Sequence, residues 1–134
     1  MEVSYKKYVG IPFKHLGRDR SGLDCYGLLI YYYKEEFGIE IPDWYYSPQW
    51  SKEGCNYFME NYETIAFKVD TPRVHDVVLF YTDIVSKVVN HAGILVELPS
   101  KVLQVIKSGV SLTDFNTPVL KKRIEGFYRL KCLR

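Results

Sequence analysis

Apolar and polar positions change their rhythm partway along the chain. From Asp24 to Phe37, Cys25, Leu28, Leu29 and Tyr32 fall at i, i+3, i+4 and i+7, which is one face of an α-helix. Asp24 carries a side chain suited to capping that helix, and Gly38 can take the left-handed conformation that closes it. Gly27 is a poor interior helix residue, but it leaves room for another backbone to approach. After the loop "IEIPDWYYSPQW", Ser51 can cap a second helix whose stripe is Cys55, Phe58, Met59 and Tyr62. That spacing places Cys55 in the core.

Beyond Thr64 the pattern is that of strands. "DVVLFY" (76–81), "HAGILVEL" (91–98), "KVLQVIK" (101–107) and "EGFYRLKC" (125–132) are short, rich in β-branched or aromatic residues, and separated by turns. Helices followed by a run of strands predict an α+β domain with a mostly antiparallel sheet, against which the Cys25 helix lies. No repeat, low-complexity tract or linker interrupts the 134 residues, so residues 1–134 are expected to form one domain.

Composition narrows the function classes. With 47% hydrophobic and 25% charged residues the chain is neither disordered nor fibrous. A net charge of +2 and a lone basic cluster, Lys121, Lys122 and Arg123, read as a solvated strand or turn, so no nucleic-acid partner is expected. The start "MEVSYKKYVG" lacks the apolar stretch of a secretory signal, and the longest apolar run, Leu28 to Tyr33, is far too short to cross a bilayer. The expectation is a soluble protein made in the cytoplasm. Twelve tyrosines suggest interfaces or half-buried sheet faces. Three cysteines without a C-x-x-C pair exclude zinc-ribbon and redox-motif readings, and no metal or other cofactor is expected.

Cys25 sits at a predicted helix start, where unpaired N–H groups lower a thiol pKa, and a histidine in reach would lower it further. The chain offers His15, His75 and His91. His91 opens a predicted strand, with Ala92 and Gly93 leaving space around its ring. His15 lies in a Gly/Arg-rich loop and His75 in the polar turn "RVHDVV". A helix-start cysteine with a strand-start histidine favours His91. An imidazole base needs an orienting partner, and Gln104 can accept its N–H. Gln104 shares a strand face with Val102 and Ile106; if that face is solvated, Gln104 is simply exposed. Periodicity alone leaves both readings open.

"GIPFKHLGRDRSGLDCYGLL", "RVHDVVLFY" and "NHAGILVE", in this order, resemble the NlpC family of papain-like cysteine peptidases, which act on bacterial cell-wall peptides. The likeness runs from Gly10 to about Ser108 and is nearest to tail-associated members from bacteriophages, which often show a G-R-D run and an aromatic residue after the cysteine. It implies a papain-like α+β fold with Cys25 as nucleophile, His91 as general base and Gln104 at the third polar position. The implied substrate is a peptidoglycan stem peptide, cut at the amide next to a diamino acid. The nearest members imply phage tail proteins as candidate partners, and access to the wall through a virion, a secretion device or lysis. Three positions depart from the pattern: Phe13 for tyrosine, Tyr26 for serine, which would narrow the groove, and His75 for glycine. The alternatives are a structural tail or assembly protein that keeps the fold with little hydrolysis, and an acyltransferase using the same Cys–His pair.

Overall fold

A computed structural model describes residues 5–43 and 62–133. The predicted helix capped by Ser51, with Cys55, Phe58 and Met59, lies outside these residues; Tyr62 opens a 3-10 turn, Tyr62–Thr64.

Helix α1 spans Cys25–Phe37, and both of its ends form as the sequence predicts. The Asp24 side chain accepts from Gly27 N, and Gly38 takes φ 67° while its N–H returns to the last carbonyls. The inward stripe is wider than expected. Tyr26, Gly27 and Tyr33 are buried along with Cys25, Leu28, Leu29 and Tyr32. At Gly27 a Cβ would stand 2.0 Å from Gly17 O, so only glycine lets the preceding loop close onto the helix.

A two-residue hairpin, β1 (Arg18–Asp19) and β2 (Gly22–Leu23), precedes the helix. The main sheet contains β3 (Ala66–Val69), β4 (Val77–Asp83), β5 (Val88–Glu97), β6 (Lys101–Ile106), β7 (Gly109–Asp114) and β8 (Ile124–Leu130). Their order is β3-β8-β4-β5-β6-β7, and every pairing is antiparallel. The last strand thus returns inside the sheet, between edge strand β3 and β4. A short helix α2, Pro118–Lys121, capped by Thr117, crosses between β7 and β8. Its end and the exposed Lys122 and Arg123 form the solvated turn expected of the basic cluster.

The two faces of the sheet bury different side chains. Leu79, Ala92, Ile94, Leu103 and Val105 pack against Leu28, Leu29 and Tyr32 of α1. Val78, Phe80, Leu95 and Val102 face the other way and are covered by Phe115 and, more loosely, Leu120. Between β8 and the turn before β4, Arg129 Nε and Nη2 donate to the Asp76 carboxylate at 2.9 and 2.8 Å, with both side chains buried. Several tyrosines are fully buried rather than half-buried, each with its hydroxyl bonded: Tyr8 to Glu36, Tyr32 to His75 Nδ1 at 2.8 Å, and Tyr33 to His75 O at 2.6 Å. His75 has φ 81°, the left-handed region that favours glycine, which accounts for the glycine expected at this position. The two tyrosine bonds and the Phe37 ring, 4.9 Å away, hold it there.

Candidate active site

The loop before α1 is built around Asp24. Its Oδ1 accepts from Gly27 N at 2.8 Å and from Arg18 Nη1 at 2.9 Å, and its Oδ2 accepts from Leu16 N at 2.8 Å. Arg18 also grips Asp43 with Nε and Nη2, at 2.9 and 3.0 Å. Asp24 is thus fully occupied as cap and brace, the structural role expected of it.

This brace delivers Cys25 to a gap in the sheet. Strand β5 pairs with β6 from Gly93↔Gln104 to Glu97↔Lys101, while its first five residues, 88–92, have no partner on β6. Opposite them the β4–β5 ladder shifts register between Phe80↔His91 and Tyr81↔Val89, a bulge that leaves Asn90 unmatched. Cys25 meets this segment. Its Sγ donates to Asn90 O at 4.0 Å, and the backbone N–H of Ala92 approaches the sulfur.

Burial pushes the Cys25 thiol up to about 12, and the neighbouring Asp24 carboxylate adds to the rise. The N–H groups of Ala92 and Tyr26 and the Arg18 guanidinium pull the other way and lose. This corrects the expectation that a helix start would leave an acidic thiol. The helix-end field acts on a sulfur that is 8% exposed and sits beside a capping carboxylate, so desolvation wins.

His91 lies inside β5 rather than at its start, because the strand begins at Val88. Its ring packs on Phe80 with centroids 5.4 Å apart, and Nε2–H donates to Gln104 Oε1 at 2.8 Å. An amide oxygen only accepts, so the proton resides on Nε2 and Nδ1 keeps its lone pair. Burial holds the imidazole below its ordinary pKa, and the Gln104 bond opposes that fall. Gln104 is buried, which removes the solvated-face alternative. Its Nε2 donates onward to Thr113 Oγ1 at 2.8 Å, a partner on β7 that sequence reasoning did not find. Between these side chains Gly93 carries none: a Cβ there would meet Val102 Cγ1 at 2.7 Å and Leu103 O at 2.8 Å.

Of the three residues singled out from the sequence, His91 and Gln104 touch directly. Cys25 reaches the backbone on either side of His91, and its proton rests toward Asn90 O rather than on the imidazole. His75 bonds to Tyr32, seven residues and roughly 10 Å further along α1, so it is remote from the sulfur. A groove of about 360 Å³ opens beside His91 and Gln104, lined on one side by Phe80 and Phe115, whose rings pack together with centroids 4.7 Å apart. Tyr26 does not narrow it. Its ring lines an internal apolar cavity with Leu29 and Leu79, and its hydroxyl donates to Pro42 O. Among the described residues no group of three His, Cys, Asp or Glu side chains could hold a metal ion.

A helix that carries a cysteine at its first residue, laid on an antiparallel sheet bearing a histidine–glutamine pair, defines an α+β domain of the papain-like kind. Residues 10–129 match the NlpC/P60 family, and the chain belongs to that family. Over 119 residues it is 28% identical to the murein DD-endopeptidase MepS/murein LD-carboxypeptidase of Escherichia coli K12, covering 89% of this chain and 55% of that protein. The chain therefore spans about half the length of the curated relatives it matches. Among solved structures, a lipoprotein-like NLP/P60 protein from Staphylococcus aureus superposes with a TM-score of 0.66 at 17% identity, covering 97% of this chain and 43% of that one. The NlpC/p60 domain of the peptidoglycan hydrolase SagA does so with a TM-score of 0.57 at 21% identity, covering 92% and 89%. At these identities the structures share the fold.

Proposed function

We propose that the protein is a cysteine hydrolase of peptidoglycan stem peptides, with Cys25 as nucleophile, His91 as acid and base, and Gln104 as the residue that positions the ring. The observation that carries this reading is the pairing of Gln104 with His91 Nε2 on the same strand whose backbone Cys25 meets at Asn90 and Ala92. The E. coli relative is named as a murein endopeptidase, which supports peptidoglycan as the substrate.

The steps follow from the proton positions. Nδ1 of His91 takes the thiol proton as sulfur bonds to the amide carbonyl carbon. The oxyanion is met by the backbone N–H of Cys25, one of the unpaired donors of the first helical turn, and such a donor is typically worth about 3 kcal/mol. The imidazolium then protonates the leaving amine as the C–N bond breaks. Water, deprotonated by His91, attacks the thioester and frees the thiol. The likeness of the G-R-D run to phage tail members supports a virion as the carrier and tail proteins as partners.

A second reading, a structural tail protein with little hydrolysis, is favoured by the un-ionised Cys25 thiol and its lack of a bond to the imidazole. Incubation with purified peptidoglycan separates the two. New free amines are expected from the parent chain and none from Cys25→Ala or His91→Ala. If the parent releases no amine, the structural reading holds.

A further inference from the structure

The basic cluster near the C-terminus is not uniform. Arg123, unlike Lys121 and Lys122, lines the groove that opens beside His91 and Gln104. Its main chain is fixed to the rim: Arg123 N donates to Leu120 O at 3.0 Å, and Arg123 O accepts from Tyr81 N at 2.7 Å. The guanidinium itself has no hydrogen-bond or ion-pair partner among the described residues. Arg123 shares that with Arg73 and differs from Arg18 on Asp24 and Asp43, Arg20 on Lys7 O, and Arg129 on Asp76. No carboxylate lines the groove among the described residues, and the packed rings of Phe80 and Phe115 make part of its wall apolar. An unopposed guanidinium at the exposed rim of such a groove presents a planar fork of donors, which is the chemistry that captures a carboxylate with two parallel bonds.

We infer that Arg123 binds the free C-terminal carboxylate of the leaving-amine portion of the substrate. The inference rests on the hydrolase reading above. His91 is the group that protonates the leaving amine, so the groove beginning at His91 receives the part of the peptide on that side of the broken bond. A substrate with a free carboxylate there would be gripped at both ends, by the site at one and by Arg123 at the other. Amidated or extended peptides would lose that grip.

Binding tests this independently of turnover. Two probes, a stem tetrapeptide with a free C-terminal carboxylate and the same peptide as its C-terminal carboxamide, are titrated calorimetrically into the full chain carrying Cys25→Ala. The carboxylate should bind about fivefold to tenfold more tightly. Adding Arg123→Gln should erase the difference by weakening only the carboxylate probe, and Arg123→Lys, which keeps the charge without the fork, should retain part of it. Equal binding of the two probes, no binding of either, or a preference unchanged in Arg123→Gln would each overturn the inference. Hydrolysis of the same probes by the parent chain is scored separately. A retained carboxylate preference without cleavage sinks the hydrolase reading and leaves Arg123 as a carboxylate-binding residue.

Discussion

Gln104 sits between two partners whose demands differ. It accepts from His91 Nε2 and donates to Thr113 Oγ1, so its amide is held at both ends and the imidazole is held in one tautomer. Because burial lowers the His91 pKa, the ring is neutral at pH 7 and ready to take a proton, and the acid limb of kcat/KM should lie below the ordinary histidine value of 6.5. Gln104→Ala removes the bond that opposes this fall. The limb should then move to still lower pH, while turnover drops about tenfold, or roughly 1.4 kcal/mol of transition-state stabilisation. A pH–rate profile reads both effects; parent-like turnover with an unmoved limb would remove Gln104 from the site. Periodicity placed Gln104 on its strand face but could not say whether that face was buried. Thr113 was illegible, because its contact depends on β6 and β7 pairing in the register Gln104↔Ser111, which no local pattern encodes.

Helix α1 was readable at both ends because caps are local chemistry. Asp24 and Gly38 act within a few residues of themselves, and the structure uses both as expected. What the pattern missed is the conflict at the N-terminus, where the carboxylate that caps the helix also raises the Cys25 thiol. Asp24→Asn keeps an oxygen for Gly27 N but discards the charge. The midpoint of Cys25 alkylation, followed by iodoacetamide rate against pH, should fall below about 12. The helix should also lose roughly 1 kcal/mol from the altered cap and the lost bond to Leu16 N. An unmoved alkylation midpoint would show that burial alone sets the thiol. Strands β4, β5, β6 and β8 were legible in outline from their apolar residues. Edge strands β3 and β7 were not, since they are short or expose alternate residues. The sequence pattern starts β5 three residues late, at His91 rather than Val88, because "VVN" gives no turn signal.

Across the whole molecule, strand order is the feature that sequence reading left open. Strand β8, the last, lies between β3 and β4, and the buried Arg129–Asp76 pair ties it to the turn that leads into β4. Removing one partner leaves the other charge stranded, so Arg129→Met should cost about 3–5 kcal/mol in urea unfolding, and adding Asp76→Ala should recover part of the loss. A single variant within 1 kcal/mol of the parent would mean that β8 is held by its ladder and apolar contacts alone. The same long-range assembly leaves residues 88–92 of β5 without a partner on β6, and Cys25 is lodged against that stretch. The sulfur thus lies in a seam of the sheet. On the proposed chemistry, an acyl group on that sulfur would rest on the helix and on the open stretch of sheet at once.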